Sequence, residues 1–165
     1  MADTTDAALL VLRLALGGVM LAHGVKHVRN RDRTMAWTAS IGLSPPGLQW
    51  FFMSFAEIGV GISLAAGLLT SIGAAGLVAL MAVAFWTVHR RAGFWITARP
   101  DEGWEYVFVL GVASAALAVI GPGEWSLDGA LGITDSLDGA VGVALLGGGL
   151  LGAALHLALT YRPPR

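Results

Sequence analysis

Residues 7–28 read AALLVLRLALGGVMLAHGVKHV, and this stretch decides the fold. Its apolar run is close to the roughly 20 residues that a helix needs to cross the hydrocarbon of a bilayer. The one charge inside the run is Arg13. On a helix Arg13, Gly17, Met20, Gly24 and His27 share one stripe, with His23 at its edge. Small and polar residues on one stripe belong against other helices and not against lipid. The run closes on LAHGVKHV, residues 21–28, where two histidines four apart share a face and Lys26 lies beside them.

Composition supports a membrane protein. Of 165 residues, which suggest a single domain, 56% are hydrophobic and 13% charged. A soluble domain carries about 25% charged residues. Mean hydropathy is +0.72. The 23 glycines suit close packing of helices in lipid. A net charge of −1 leaves no nucleic-acid footprint. The absence of cysteine excludes disulfides, Fe–S clusters, thiolate metal sites and thiol redox chemistry by this chain. The start, MADTTDAALL, has two aspartates and no basic residue. A secretory signal needs a positive start, so the first run is expected to be a retained helix.

Working outward, five spans are predicted at about residues 7–27, 49–69, 72–89, 105–120 and 140–160. Residues 31–42 are too polar to span and read as an interfacial helix, with Met35, Trp37 and Ile41 able to dip into the membrane surface. GLSPPG breaks that helix. Thr70-Ser71 reads as a tight hairpin turn, residues 93–106 as a polar loop, and GPGEWSLD as a turn into an acidic loop reaching Asp138. Gly148 and Gly152 form a small-xxx-small pair on the last span. The expected fold is therefore all-α: one polytopic transmembrane four-helix bundle plus a fifth C-terminal transmembrane helix, over residues 1–165.

Charge sets the expected orientation. Lys26, Arg29, Arg31, Arg33, Arg90, Arg91, Arg99, Arg162 and Arg165 fall at one set of span ends. Asp3, Asp6, Glu124, Asp128, Asp135 and Asp138 fall at the other. By the positive-inside rule the N-terminus is outside and the C-terminus cytoplasmic, in the plasma membrane. Trp50, Trp86, Trp95 and Trp104 then lie near the inner interface and Trp125 near the outer one.

Depth selects the candidate site. His23 and Glu57 fall at comparable depth near the cytoplasmic side, and Arg13 approaches from outside with a side chain long enough to reach inward. Arg13, His23 and Glu57 are thus an expected ion pair or polar network within the membrane, structural or functional. Lys26, His27, His89 and Glu105 form an expected polar cluster on the cytoplasmic side. Within it Lys26 and His27 can simply snorkel to headgroups, and Glu105 can simply favour a helix N-terminus. His156, deep in the last span, needs a hydrogen-bonding neighbour. A quinone needs a donor for its carbonyl and an apolar slot near aromatics, which His23, Glu57, Trp86 and Trp104 offer. A metal bound by His23, His27, Glu57 and His89 ranks lower, since no HExxH or ExxH pattern accompanies them, and haem ranks lower still.

The order LRLALGGVMLAHGVKH, IGLSPP, EIGVGISLAAGLLT, GFW, GWEY and GPGEWSLD resembles the DoxX family of small bacterial membrane proteins, over roughly residues 9–128. The family's HGxxK pattern ends here on His27, with lysine one place earlier, at Lys26. The fifth run lies beyond the family's usual four helices. The family is similar to DoxD, a membrane subunit of thiosulfate:quinone oxidoreductase. The resemblance implies a quinone-facing or anchoring subunit of a membrane-associated oxidoreductase complex, at most a non-catalytic or quinone-interacting part of the enzyme. It implies a soluble cytoplasmic redox enzyme or sulfurtransferase as partner. His23, Gly24, Glu57, Glu105 and the turn at 121–123 occupy family-like places. Two further classes stay open: a small transporter or lipid-handling protein gated by Arg13 and Glu57, and a structural or assembly protein, with the glycine-rich fifth helix as a face for homo-oligomers.

Overall fold

A computed structural model describes residues 2–163, with side chains from residue 4 onward; the charges of Asp3 and Arg165 lie outside the described residues. The chain is all-α. Its helices are α1 (Ala2–Arg29), α2 (Arg31–Ser40), α3 (Pro46–Ala66), α4 (Thr70–Thr87), α5 (Glu105–Ile120), the short α6 (Leu127–Leu131) and α7 (Gly139–Thr160). Four of these, α1, α3, α4 and α7, are long and apolar enough to cross a membrane, and α5 is apolar but shorter at 16 residues. Large apolar side chains such as Val11, Phe52, Val109 and Leu151 remain exposed around the bundle. A water-facing protein would bury such residues, and a bilayer solvates them. The protein is a multi-pass membrane protein.

Glycine sets the central helix contact. A Cβ at Gly24 would sit 2.9 Å from the Ser54 carbonyl and 3.0 Å from the Ile58 nitrogen; one at Gly17 would sit 2.8 Å from the Gly61 carbonyl. α1 and α3 therefore run antiparallel with backbones in near contact, as the stripe through Gly17 and Gly24 predicted. Leu16, Met20, Leu64, Leu77 and Leu117 fill the core that this crossing shares with α4 and α5.

Two local expectations are corrected. The hairpin between α3 and α4 turns at residues 67–69, and Thr70 and Ser71 are the buried first residues of α4. Gly67 takes the left-handed conformation (φ 66°), with Gly67 N–H donating to the Leu64 carbonyl and Leu68 N–H to that of Ser63. That is a Schellman ending, which needs no polar turn residues. On α7, Gly142 and Gly149 are the close-packing glycines, against the Ala118 and Ala75 carbonyls, while Gly148 and Gly152 meet nothing within 4 Å. The sequence spacing was suitable; the pair makes no close helix contact within the bundle.

α2 lies across one end of the bundle. Its buried residues are Thr34 and Thr38. The loop after it meets the end of α7: Ser44 N–H donates to the Thr160 carbonyl at 3.0 Å and Arg162 N–H to the Gly42 carbonyl at 2.7 Å. These bonds fix α2 as a cover over the space beneath it.

Candidate functional site

The space beneath α2 is a cavity of about 1080 Å³ between α1, α3, α4, α5 and α7. Phe52, Val60, Leu80, Met81 and Leu110 are among its apolar walls, and His23, His27 and Glu57 line it as polar groups. The helix repeat puts His23 and His27 on one face of α1. The tight crossing at Gly24 brings that face against Glu57 on α3. One nitrogen of each ring and one oxygen of the Glu57 carboxylate all lie within 4.8 Å of one another. His27 Nε2 is 3.7 Å from Glu57 Oε2. Glu57 is 9% exposed, and its Oε2 is buried with no hydrogen-bond partner.

α2 and α3 hold His27 in place. Its Nδ1 lies 3.2 Å from Thr34 Oγ1, its ring stacks on Trp37 (centroids 6.1 Å apart, 12° between planes), and its carbonyl accepts from Trp50 Nε1–H at 3.0 Å. In the sequence Thr34 carried no role, and Trp37 and Trp50 only places at the membrane interface, because a neighbour across an interfacial turn leaves no spacing signal. His156 joins the same cavity from α7.

The other residues of the expected cluster divide. Lys26 and His89 line the cavity. His89 Nδ1 is 2.7 Å from the Glu102 carbonyl, and Glu105 Oε2 accepts from Ile96 N–H at 3.0 Å, so both close the loop at residues 93–106. Trp86 and Trp104 are not brought to His23 and Glu57. Trp86 lies under the Arg90 guanidinium, 4.2 Å from its ring centroid. Trp104 packs edge-on against Phe85, Phe94 and Phe108 and lines a separate apolar groove of about 360 Å³. Neither tryptophan lines the cavity of His23 and Glu57.

Arg13 is likewise separate from Glu57. It is fully buried at the opposite end, where its guanidinium donates to the Trp125 carbonyl and fills the space left by Gly67. By register α1 carries it about 15 Å from His23. Asp128 supplies the negative charge near it. Asp128, 1% exposed, accepts from Leu69 N–H at 2.7 Å and Thr70 N–H at 2.8 Å, and so caps α4 from 58 residues away. Asp6 accepts from Glu124 N–H at 2.8 Å. Arg13, Asp128 and Asp6 thus tie the 121–128 loop to α1 and the α3–α4 hairpin. The polar network of Arg13 with His23 and Glu57 is replaced by two networks at opposite ends of the bundle.

Comparison with known proteins agrees with this half of the chain. No curated protein and no solved structure matches it. The DoxX family model matches residues 8–90, half of the 165 residues. The matched stretch carries α1, the α2 cover, α3 and α4, and with them Gly24, His23, His27 and Glu57; the GFW, GWEY and GPGEWSLD segments lie beyond it. The chain belongs to the DoxX family.

Proposed function

We propose that the protein is a quinone-facing or anchoring subunit of a membrane-associated oxidoreductase complex, with the quinone head group held in the cavity under α2. The observation that carries this reading is the cavity itself: apolar walls, one polar end, and a volume just above the roughly 300–1,000 Å³ typical of small-molecule sites. His23 is the donor to a quinone carbonyl, Glu57 accepts or supplies the proton that accompanies reduction, and the flat head group lies near Trp37. Trp86 and Trp104 have no part in it. The basic residues at this end, Arg29, Arg31, Arg33, Arg90 and Arg91, give a soluble redox partner an electrostatic landing surface. The same charges favour a plasma-membrane orientation with this end in the cytoplasm and the N-terminus outside. A gate formed by Arg13 and Glu57 has no support, since the two occupy different ends.

Mass spectrometry of lipids extracted from protein purified out of native membranes tests the reading. Quinone is expected at about one per chain, lost in His23→Ala and retained in Trp86→Ala. Phospholipid in place of quinone, at the same occupancy in all three proteins, would show a lipid-handling site instead.

A further inference from the structure

We propose that His23, His27 and Glu57 form a binding site for a divalent first-row transition-metal ion, with its remaining coordination positions open to the cavity. The inference shares residues with the quinone reading but does not rest on it.

Thr34 bears on where the His27 lone pair points. The Thr34 hydroxyl lies 3.5 Å from the His27 carbonyl and 3.2 Å from His27 Nδ1, and when it donates to the carbonyl it accepts from Nδ1–H. The neutral ring then carries its proton on Nδ1 and turns a bare lone pair on Nε2 toward Glu57. Nε2 and Glu57 Oε2 are 3.7 Å apart, too far for a hydrogen bond. Two acceptors thus face each other across a gap, and the carboxylate oxygen is buried without a partner. Leaving such an oxygen unsatisfied away from water is costly. A cation between the two atoms satisfies both.

Metal geometry fits that gap. Bonds of about 2.0–2.2 Å to nitrogen and oxygen hold neighbouring ligand atoms about 3–3.6 Å apart. The three ligand atoms already lie within 4.8 Å, and small side-chain rotations close the rest. Two imidazoles and one carboxylate with open positions suit iron(II), zinc, cobalt or manganese. Thr34 supplies the outer hydrogen bond that orients a metal-bound histidine, and Trp37 fixes the plane of the ring. Among the described residues Lys26 makes no ion pair with Glu57, so its ammonium does not fill the position. His89, spent on the Glu102 carbonyl, is outside the set.

The test uses untagged, full-length protein in detergent, freed of quinone and lipid, cleared of metal by a chelator and titrated with cobalt(II). Visible absorption and elemental analysis are expected to give about one cobalt per chain. Glu57→Gln and His27→Gln should each lower occupancy to below about a tenth, and Thr34→Val should weaken binding about 10–100-fold, while His89→Ala changes nothing. Circular dichroism and elution volume establish that each variant is folded; the three variants on three helices keep the test valid should one fail. No cobalt bound by folded wild-type protein, or cobalt binding untouched by folded Glu57→Gln and His27→Gln, overturns the proposal. Cobalt bound as expected by protein that carries no quinone from the membrane supports the metal site and ends the quinone reading alone.

Discussion

Replacing Gly24 with alanine tests the contact that builds the site. The new Cβ would lie 2.9 Å from the Ser54 carbonyl oxygen and 3.0 Å from the Ile58 nitrogen, where ordinary contact begins at 3.4 Å. Both atoms are backbone, so no rotamer change relieves them. α1 and α3 must part by about half an ångström at this level, which opens the core and widens the 3.7 Å gap between His27 and Glu57. Overpacking of this kind costs about 1–3 kcal/mol. Alanine also gains about 1 kcal/mol over glycine in helix propensity, which would mask part of the loss. Gly18→Ala removes that ambiguity: it sits on the same helix with nothing within 4 Å of its Cβ and carries only the propensity gain. Unfolding of both variants in mixed micelles, followed by tryptophan fluorescence, should place Gly24→Ala about 1–3 kcal/mol below Gly18→Ala. Equal stability of the two variants would refute the close crossing of α1 and α3 and, with it, the convergence of His23, His27 and Glu57.

The other end of the bundle gives a second test. Asp128→Ala removes two charge-assisted hydrogen bonds from the start of α4 and the negative charge near buried Arg13, and should cost about 3 kcal/mol in the same unfolding assay; a loss below about 0.5 kcal/mol would show that the cap is not formed. On α7, Gly142→Leu should loosen the helix from α5, because its Cβ would overlap the Ala118 carbonyl, whereas Gly148→Leu should leave monomer stability unchanged. Equal losses from the two would contradict the rotation of α7. Since the chain has no cysteine, single cysteines can be labelled cleanly in intact cells: a cysteine at Ser136 is expected to react with an impermeant reagent and one at Arg91 is not, and the reverse pattern would invert the orientation.

How much of this was legible in the sequence depends on the coordinate. Depth follows from helix rise and apolar run length, so His23 and Glu57 were placed at one level, and they meet in one cavity. Direction around the bundle follows from packing, which one sequence does not display. Trp86 and Trp104 therefore do not reach the cavity, and Gly148 and Gly152 have the spacing of a helix contact without making one in the bundle. Thr70 and Ser71 look like turn residues, yet they begin a helix because Asp128, distant in the chain, caps it. Arg13 demanded a partner, and its hydrogen-bond acceptor is a backbone carbonyl 112 residues away, which no side-chain pattern announces. The glycine stripe of α1 was readable because both its members and their polar neighbours lie on one continuous helix.

The most direct measurement of the central claim is photolabelling of the protein in native membranes with an azidoquinone, followed by peptide mapping. A quinone held under α2 labels residues around Met20, Trp37, Phe52 and Met53, and label is lost from them in His23→Ala. Label concentrated on Phe85, Trp104, Phe108 and Leu150, or spread evenly over the lipid-facing helices, would contradict the assignment of that cavity.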